Sequence, residues 1–171
     1  MTRLTRIWNE LVAPFFRRPR RLQVAALCCR NSETGCEILL ITSRGTGRWV
    51  IPKGWPMRGR GSAGAALQEA WEEAGVRGRI SDTAVGSYVY DKFQKSGLPV
   101  PVEVMVYPVE VEELADDFPE AGQRRRLWVS AGEAATLVAE PGLQRILRGL
   151  QAEAANHGRV RSSIETPGGP V

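Results

Sequence analysis

The sequence predicts an α/β layered domain. Three observations carry the prediction: apolar runs rich in strand formers, an amphipathic helix set among them, and a closing pair of helical patterns. Residues 22–29, LQVAALCC, and 36–42, CEILLIT, read as strands joined by the turn NSETG. SRGTGR follows as a loop, and WVIP as a short strand that ends at a proline. Residues 54–76, GWPMRGRGSAGAALQEAWEEAGV, read as a glycine-rich loop that becomes a helix. Ser62 suits its N-cap, and Gly75 followed by Val76 suits its exit. Residues 79–91 and 100–110 alternate valine and tyrosine with polar residues and predict a hairpin around QKSGLP. The acidic loop EELADDFPEAG leads to RRRLWVS, a further strand. Residues 131–139 and 142–153 are helical patterns separated by Pro141.

Composition bounds the class. A chain of 171 residues with 43% hydrophobic and 25% charged residues is ordinary for one globular domain with tails. No apolar run reaches the roughly 20 residues that span a bilayer, and the N-terminus lacks a signal-peptide core. Cys28, Cys29 and Cys36 are too few for a disulfide framework and predict core thiols in a reducing, cytoplasmic setting. The formal charge is +4, but residues 1–21 hold six arginines against Glu10, a net of +5, which leaves −1 for the rest. The basic character thus belongs to the arm, and no DNA binding is expected of the domain. Residues 1–21 form a basic amphipathic arm: Leu4, Ile7, Trp8, Leu11 and Val12 recur at helical spacing before Pro14. Such an arm suits contact with an anionic membrane surface, although packing or disorder is the favoured expectation. Residues 22–153 form the domain, and 154–171, polar with Gly and Pro, read as a disordered tail.

The helix carries the chemistry. Glu69, Glu72 and Glu73 stand at i, i+3 and i+4, on one face. Ala63, Leu67, Ala70, Trp71 and Ala74 fall opposite, an apolar face to bury. Like charges at this spacing repel one another, and a cation relieves that repulsion. Clustered hard oxygen ligands suit Mg²⁺ or Mn²⁺ better than zinc. The competing reading is a solvated helix face.

Residues 54–76 resemble the Nudix box, whose pattern is Gly, five residues, Glu, seven residues, Arg-Glu-apolar, any residue, Glu-Glu, any residue, Gly-apolar. Gly54, Glu69, Ala70, Glu72, Glu73, Gly75 and Val76 match it. Arg60 stands where the pattern has its first Glu, and Gln68 where it has Arg. The resemblance implies the Nudix fold, a mixed sheet between helices, and metal-dependent hydrolysis of a phosphoanhydride. Glu69, Glu72 and Glu73 would be catalytic and hold the metal, helped by the backbone carbonyl of Lys53. One of the carboxylates, or a loop acid, would serve as general base.

The segments RRLQVAALCCR, ITSRGTGRWVIPKG and GQRRRLWVS are similar to the branch that hydrolyses diphosphoinositol polyphosphates and diadenosine polyphosphates. By that similarity Arg20, Arg21, Ser43, Arg44, Arg48 and Arg125 would grip a polyphosphorylated small molecule. Lys53, Gly54 and Arg60 would line the same site. Gln68 can donate a hydrogen bond but carries no charge and no bidentate fork. That departure motivates an alternative: a weakened domain that senses a nucleotide. The acidic loop of Glu112, Glu113, Asp116, Asp117 and Glu120 is a further source of a base, a solvated loop being the favoured reading.

Overall fold

The computed structural model describes residues 21–32, 35–93 and 97–164, the stretch 155–164 through its backbone alone. The elements follow as β1 (Arg21–Ser32), β2 (Gly35–Thr42), β3 (Trp49–Val50), β4 (Lys53–Gly54) and α1 (Ser62–Ala74). Then come β5 (Val76–Ile80), β6 (Gly86–Phe93), β7 (Pro99–Leu114), β8 (Arg126–Ser130), α2 (Ala131–Leu137) and α3 (Pro141–Ile164). All eight strands join one mixed sheet, in which β1 and β7 run parallel and the other strand pairs antiparallel.

Alternation along the strands divides the core into two layers. Val24, Ala26 and Cys28 of β1, with Leu39 and Ile41 of β2, pack beneath α1. Ala25 and Leu27, with Ile38 and Leu40, face Ala134, Leu143 and Leu147 of α2 and α3. A strand buried on both faces must be apolar at nearly every position, which is why LQVAALCC shows no polar alternation. The fold is therefore α/β, a mixed sheet between helices, as the resemblance implies.

One detail of the sheet makes the site. β1 and β2 pair only near their hairpin, from Cys29–Ile38 to Ser32–Gly35. Beyond it the two strands splay, and residues 49–54 enter the gap, β3 pairing with β2 and β4 with β1. Lys53 and Gly54 thereby reach the end of the sheet beside α1.

The elements depart from the sequence reading in five places. The run 79–91 divides into β5 and β6, which pair with successive parts of one edge of β7. The break falls at Ser81, whose hydroxyl accepts from the Thr83 amide at 3.1 Å and turns the chain. β7 reaches Leu114, so Glu112 and Glu113 lie on a strand rather than in the acidic loop. The N-cap of α1 is Gly61, not Ser62, and no side chain caps it. Pro141 opens α3 instead of merely separating two helices, as a residue without an N–H can at the first helical position. That helix continues to Ile164, past the residue 153 at which the sequence reading closes the domain. Gly158 in the added stretch, like Gly149 before it, is a cost of about 1 kcal/mol that a helix tolerates. The arm up to residue 20, and the tail from 165, lie outside the described residues.

Candidate active site

Glu69, Glu72 and Glu73 all line one cleft of about 680 Å³. Each is held differently. A Cβ on Gly54 would stand 1.9 Å from Glu69 Oε1, so only glycine leaves room for that carboxylate. Gln68 Nε2 donates to Glu72 Oε1 at 2.7 Å, one helical turn apart. Glu73 Oε2 accepts from the Lys53 amide at 3.0 Å, and Glu73 Oε1 from Arg124.

Arg124 is the hub of the site. Its side chain is 6% exposed and also donates to Glu120 Oε2 at 2.7 Å and to the Thr42 carbonyl at 3.1 Å. Its position follows from the alternation that continues into β8: Arg124, Arg126 and Trp128 fall on the α1 side, Arg125 and Leu127 on the other. The sequence reading overlooked Arg124 and chose Arg125, which is exposed and lies over the Trp49 ring at 5.3 Å.

Burial sets the electrostatics. Desolvation raises the Glu69 carboxyl to about 7, with repulsion from Glu73, Glu72 and Glu120 added and Arg124 opposing. Glu73 is raised mainly by burial, against the pull of Arg124 and the Lys53 amide. Burial lowers the Lys53 ammonium, while Glu73 and Glu140 oppose the shift. Lys53 Nζ lies 5.8 Å from the centre of the Tyr90 ring, and the Tyr90 hydroxyl donates to Gln23 at 2.8 Å.

Of the residues assigned to phosphate, Ser43, Arg44, Arg48, Lys53 and Gly54 line the cleft beside the three carboxylates. Arg44 pairs with Glu120 at 3.2 Å and Arg48 with Glu140 at 3.7 Å. Arg21, Arg60 and Arg125 are exposed and stand apart from the cleft lining. Arg20 lies outside the described residues. Within the acidic loop only Glu120 joins the cleft, its amide donating to the Glu72 carbonyl at 3.0 Å. Glu140 also lines it, unanticipated because nothing in the pattern near Pro141 marks it.

Among the described residues no three Asp, Glu, His or Cys side chains converge into a ready metal cage. Arg124 and the Lys53 amide engage Glu73, and Gln68 engages Glu72. The donor chemistry nevertheless fits a hard divalent cation: three carboxylates on one face, one of them raised by burial and further by the charge of the others.

A mixed sheet between helices, with an acidic helix facing a glycine turn, defines a Nudix-type domain. The NUDIX domain model matches residues 19–150, and the chain belongs to that family. Human diphosphoinositol polyphosphate phosphohydrolase 3-beta is 32% identical over 113 residues, 64% of this chain and 65% of that protein. The chain thus spans about 65% of the length of that curated relative. Nudix hydrolase 16, mitochondrial, of Arabidopsis thaliana is 32% identical over 122 residues, 67% of this chain and 66% of its own. Among solved structures, C. elegans Ap4A hydrolase superposes with a TM-score of 0.57 at 18% identity, covering 78% of this chain and 97% of that one.

Proposed function

We propose that the chain is a divalent-metal-dependent Nudix pyrophosphohydrolase. Its substrate is a polyphosphorylated small molecule, either a diadenosine polyphosphate or a diphosphoinositol polyphosphate. The reading is carried by one observation: Glu69, Glu72 and Glu73 face Arg44, Arg48 and Lys53 across a single cleft. The names of the relatives and of the solved neighbour support the substrate classes.

When bound, Mg²⁺ or Mn²⁺ supplies charge neutralisation and an acidified water. Glu69, Glu72, Glu73 and the Lys53 carbonyl would hold it. Arg124 fixes Glu73, and Gln68 fixes Glu72, so both carboxylates are oriented before substrate arrives. Whichever carboxylate of the cleft stays off the metal would serve as general base. Arg44 and Arg48 are half-exposed or more and suit the outer phosphates, while Lys53 suits a phosphate drawn deeper. A cytoplasmic setting is part of the proposal; no described helix is long and apolar enough to cross a membrane.

A nucleotide-binding module without turnover is the second reading. It is favoured by Arg124, which neutralises Glu73 where a metal ion would otherwise do so.

The test is hydrolysis of diadenosine polyphosphates and an inositol pyrophosphate in Mg²⁺, with Glu73→Gln in parallel. Turnover that falls about 100-fold or more in the variant is the expected result, since the group would act on the reacting atoms. Ligand binding with no turnover in Mg²⁺ or Mn²⁺ would replace the enzyme by the sensor.

A further inference from the structure

We propose that Glu140 is a specificity-determining residue of this cleft. Its carboxylate receives an uncharged, hydrogen-bond-donating part of the substrate and turns phosphate away. That selects a dinucleoside polyphosphate over a densely phosphorylated ring. The inference rests on the cleft being the substrate site.

Glu140 is 7% exposed, and its Oε2 is buried without a hydrogen-bond partner in the structure. Its Oε1 stands 3.7 Å from Arg48 Nη1, and that guanidinium is about half in solvent. The residue sits where α3 begins, and its carbonyl accepts from the Gln144 amide at 3.0 Å. A side-chain acceptor at a helix start usually caps the first turn. Here the Oε2 atom is left unpartnered, and the side chain lines the cleft with Lys53, Tyr90 and Gln23. A buried carboxylate oxygen without a donor is costly unless some group supplies one. Ribose hydroxyls and exocyclic amines are donors; a phosphate dianion offers only acceptors and like charge.

The surroundings point the same way. The arginines of the cleft are already matched: Arg44 with Glu120, Arg124 with Glu73 and Glu120, Arg48 with Glu140, while Lys53 and Lys92 lie near the rings of Tyr90 and Trp55. A ligand bearing phosphate on every side would meet carboxylates wherever it meets arginine. At the mouth, Trp55 is 40% exposed and Phe93 is 72% exposed, and both line the cleft. Aromatic faces of this kind stack on a nucleobase, and an inositol ring has no π-face to offer.

Calorimetry on the full chain tests the assignment without turnover. The ligands are a methylene-bridged, non-hydrolysable analogue of diadenosine tetraphosphate and myo-inositol hexakisphosphate. Wild type should bind the dinucleotide more tightly. Glu140→Gln keeps the shape and removes the charge; it should weaken the dinucleotide about tenfold, as the loss of a charge-assisted hydrogen bond does. It should leave the hexakisphosphate unchanged or tighter. Glu140→Ala should act in the same direction, and unaltered melting curves will show that both variants fold.

The assignment is overturned if wild type prefers the hexakisphosphate or binds neither ligand. It is equally overturned if Glu140→Gln weakens both ligands by one factor or weakens neither. Glu140-dependent dinucleotide binding without hydrolysis of diadenosine tetraphosphate would sink the hydrolase reading and leave this one standing. Hydrolysis with no Glu140-dependent preference would do the reverse.

Discussion

Arg124 shows how one residue organises several. It ties Glu73 of α1, Glu120 of the loop after β7 and the Thr42 carbonyl of β2 into one cluster. Removing one partner of a buried pair leaves the other desolvated and unmatched, a loss of about 3 kcal/mol or more. Arg124→Ala should therefore lower the free energy of unfolding in urea by that amount, and Arg124→Lys should recover part of it. A loss below about 1 kcal/mol, the range of an exposed pair, would mean that Glu73 finds another partner. The role was hidden in the sequence because RRR offers three equal candidates. Only the pairing of β8 with β2 decides which arginine faces the carboxylates. The alternation of Arg124, Arg126 and Trp128 was the available signal.

Glu69 carries the pH dependence. Its carboxyl lies at about 7 in the folded chain, above the ordinary value of 4.5. Between those values the folded chain keeps a proton that the unfolded chain has released, so stability falls as pH rises through the window. The metal-free protein should melt lower at pH 7 than at pH 5, and Glu69→Gln should flatten that slope. Mg²⁺ added at pH 8 should raise the wild-type melting temperature, because it relieves the repulsion that the higher pH creates. An equal slope in wild type and variant would assign the titration to another group.

At the scale of elements, α1 was legible in its acidic face and only in part in its apolar one, where Ala63, Ala70 and Ala74 are buried as the pattern indicates. The i, i+3, i+4 spacing of the carboxylates survives folding because helical geometry alone fixes it. The buried face, however, is made of Ala63, Ala65, Ala66, Ala70 and Ala74, while Leu67 and Trp71 are only half-buried. Alanines let the helix lie close on β1, and Trp71 lies beneath the Arg77 guanidinium at 4.6 Å. Sequence periodicity identifies a face but not how near the neighbouring layer comes.

Two glycines beside this element make opposite predictions. Gly75 has φ 70°, its amide bonds to the Ala70 and Trp71 carbonyls, and a Cβ there would lie 2.6 Å from Phe118 Cδ1. Gly75→Ala should cost about 2 kcal/mol through backbone strain alone, read as a lower urea midpoint. Gly54→Ala instead displaces the Glu69 carboxylate, whose far end is flexible. It should leave the midpoint nearly unchanged and lower kcat about 100-fold, as a misplacement of 1 Å can. The pairing would be disproved by a Gly54→Ala enzyme of normal activity.

At the scale of the molecule, the layers were readable because two-sided burial demands unbroken apolar strands. The neighbours of each strand were not, since sheet order depends on contacts remote in sequence. Nothing in WVIPKG announces that it wedges between β1 and β2, yet that wedge creates the cleft. The described sheet already begins at Arg21, which pairs with Val102 of β7. Deleting residues 1–20 therefore leaves every described pairing and the whole cleft lining in place. It removes five of the six arginines that make the arm basic. The truncated chain should melt within about 3 °C of the full one, a change below about 1 kcal/mol for this size, and should keep its hydrolytic rate. Any affinity for vesicles of anionic lipid should disappear with the arm, because the remainder lacks a net positive charge to draw it to the surface. A drop of about 10 °C would show instead that the arm packs on the domain, since a segment outside the fold has no contacts to lose.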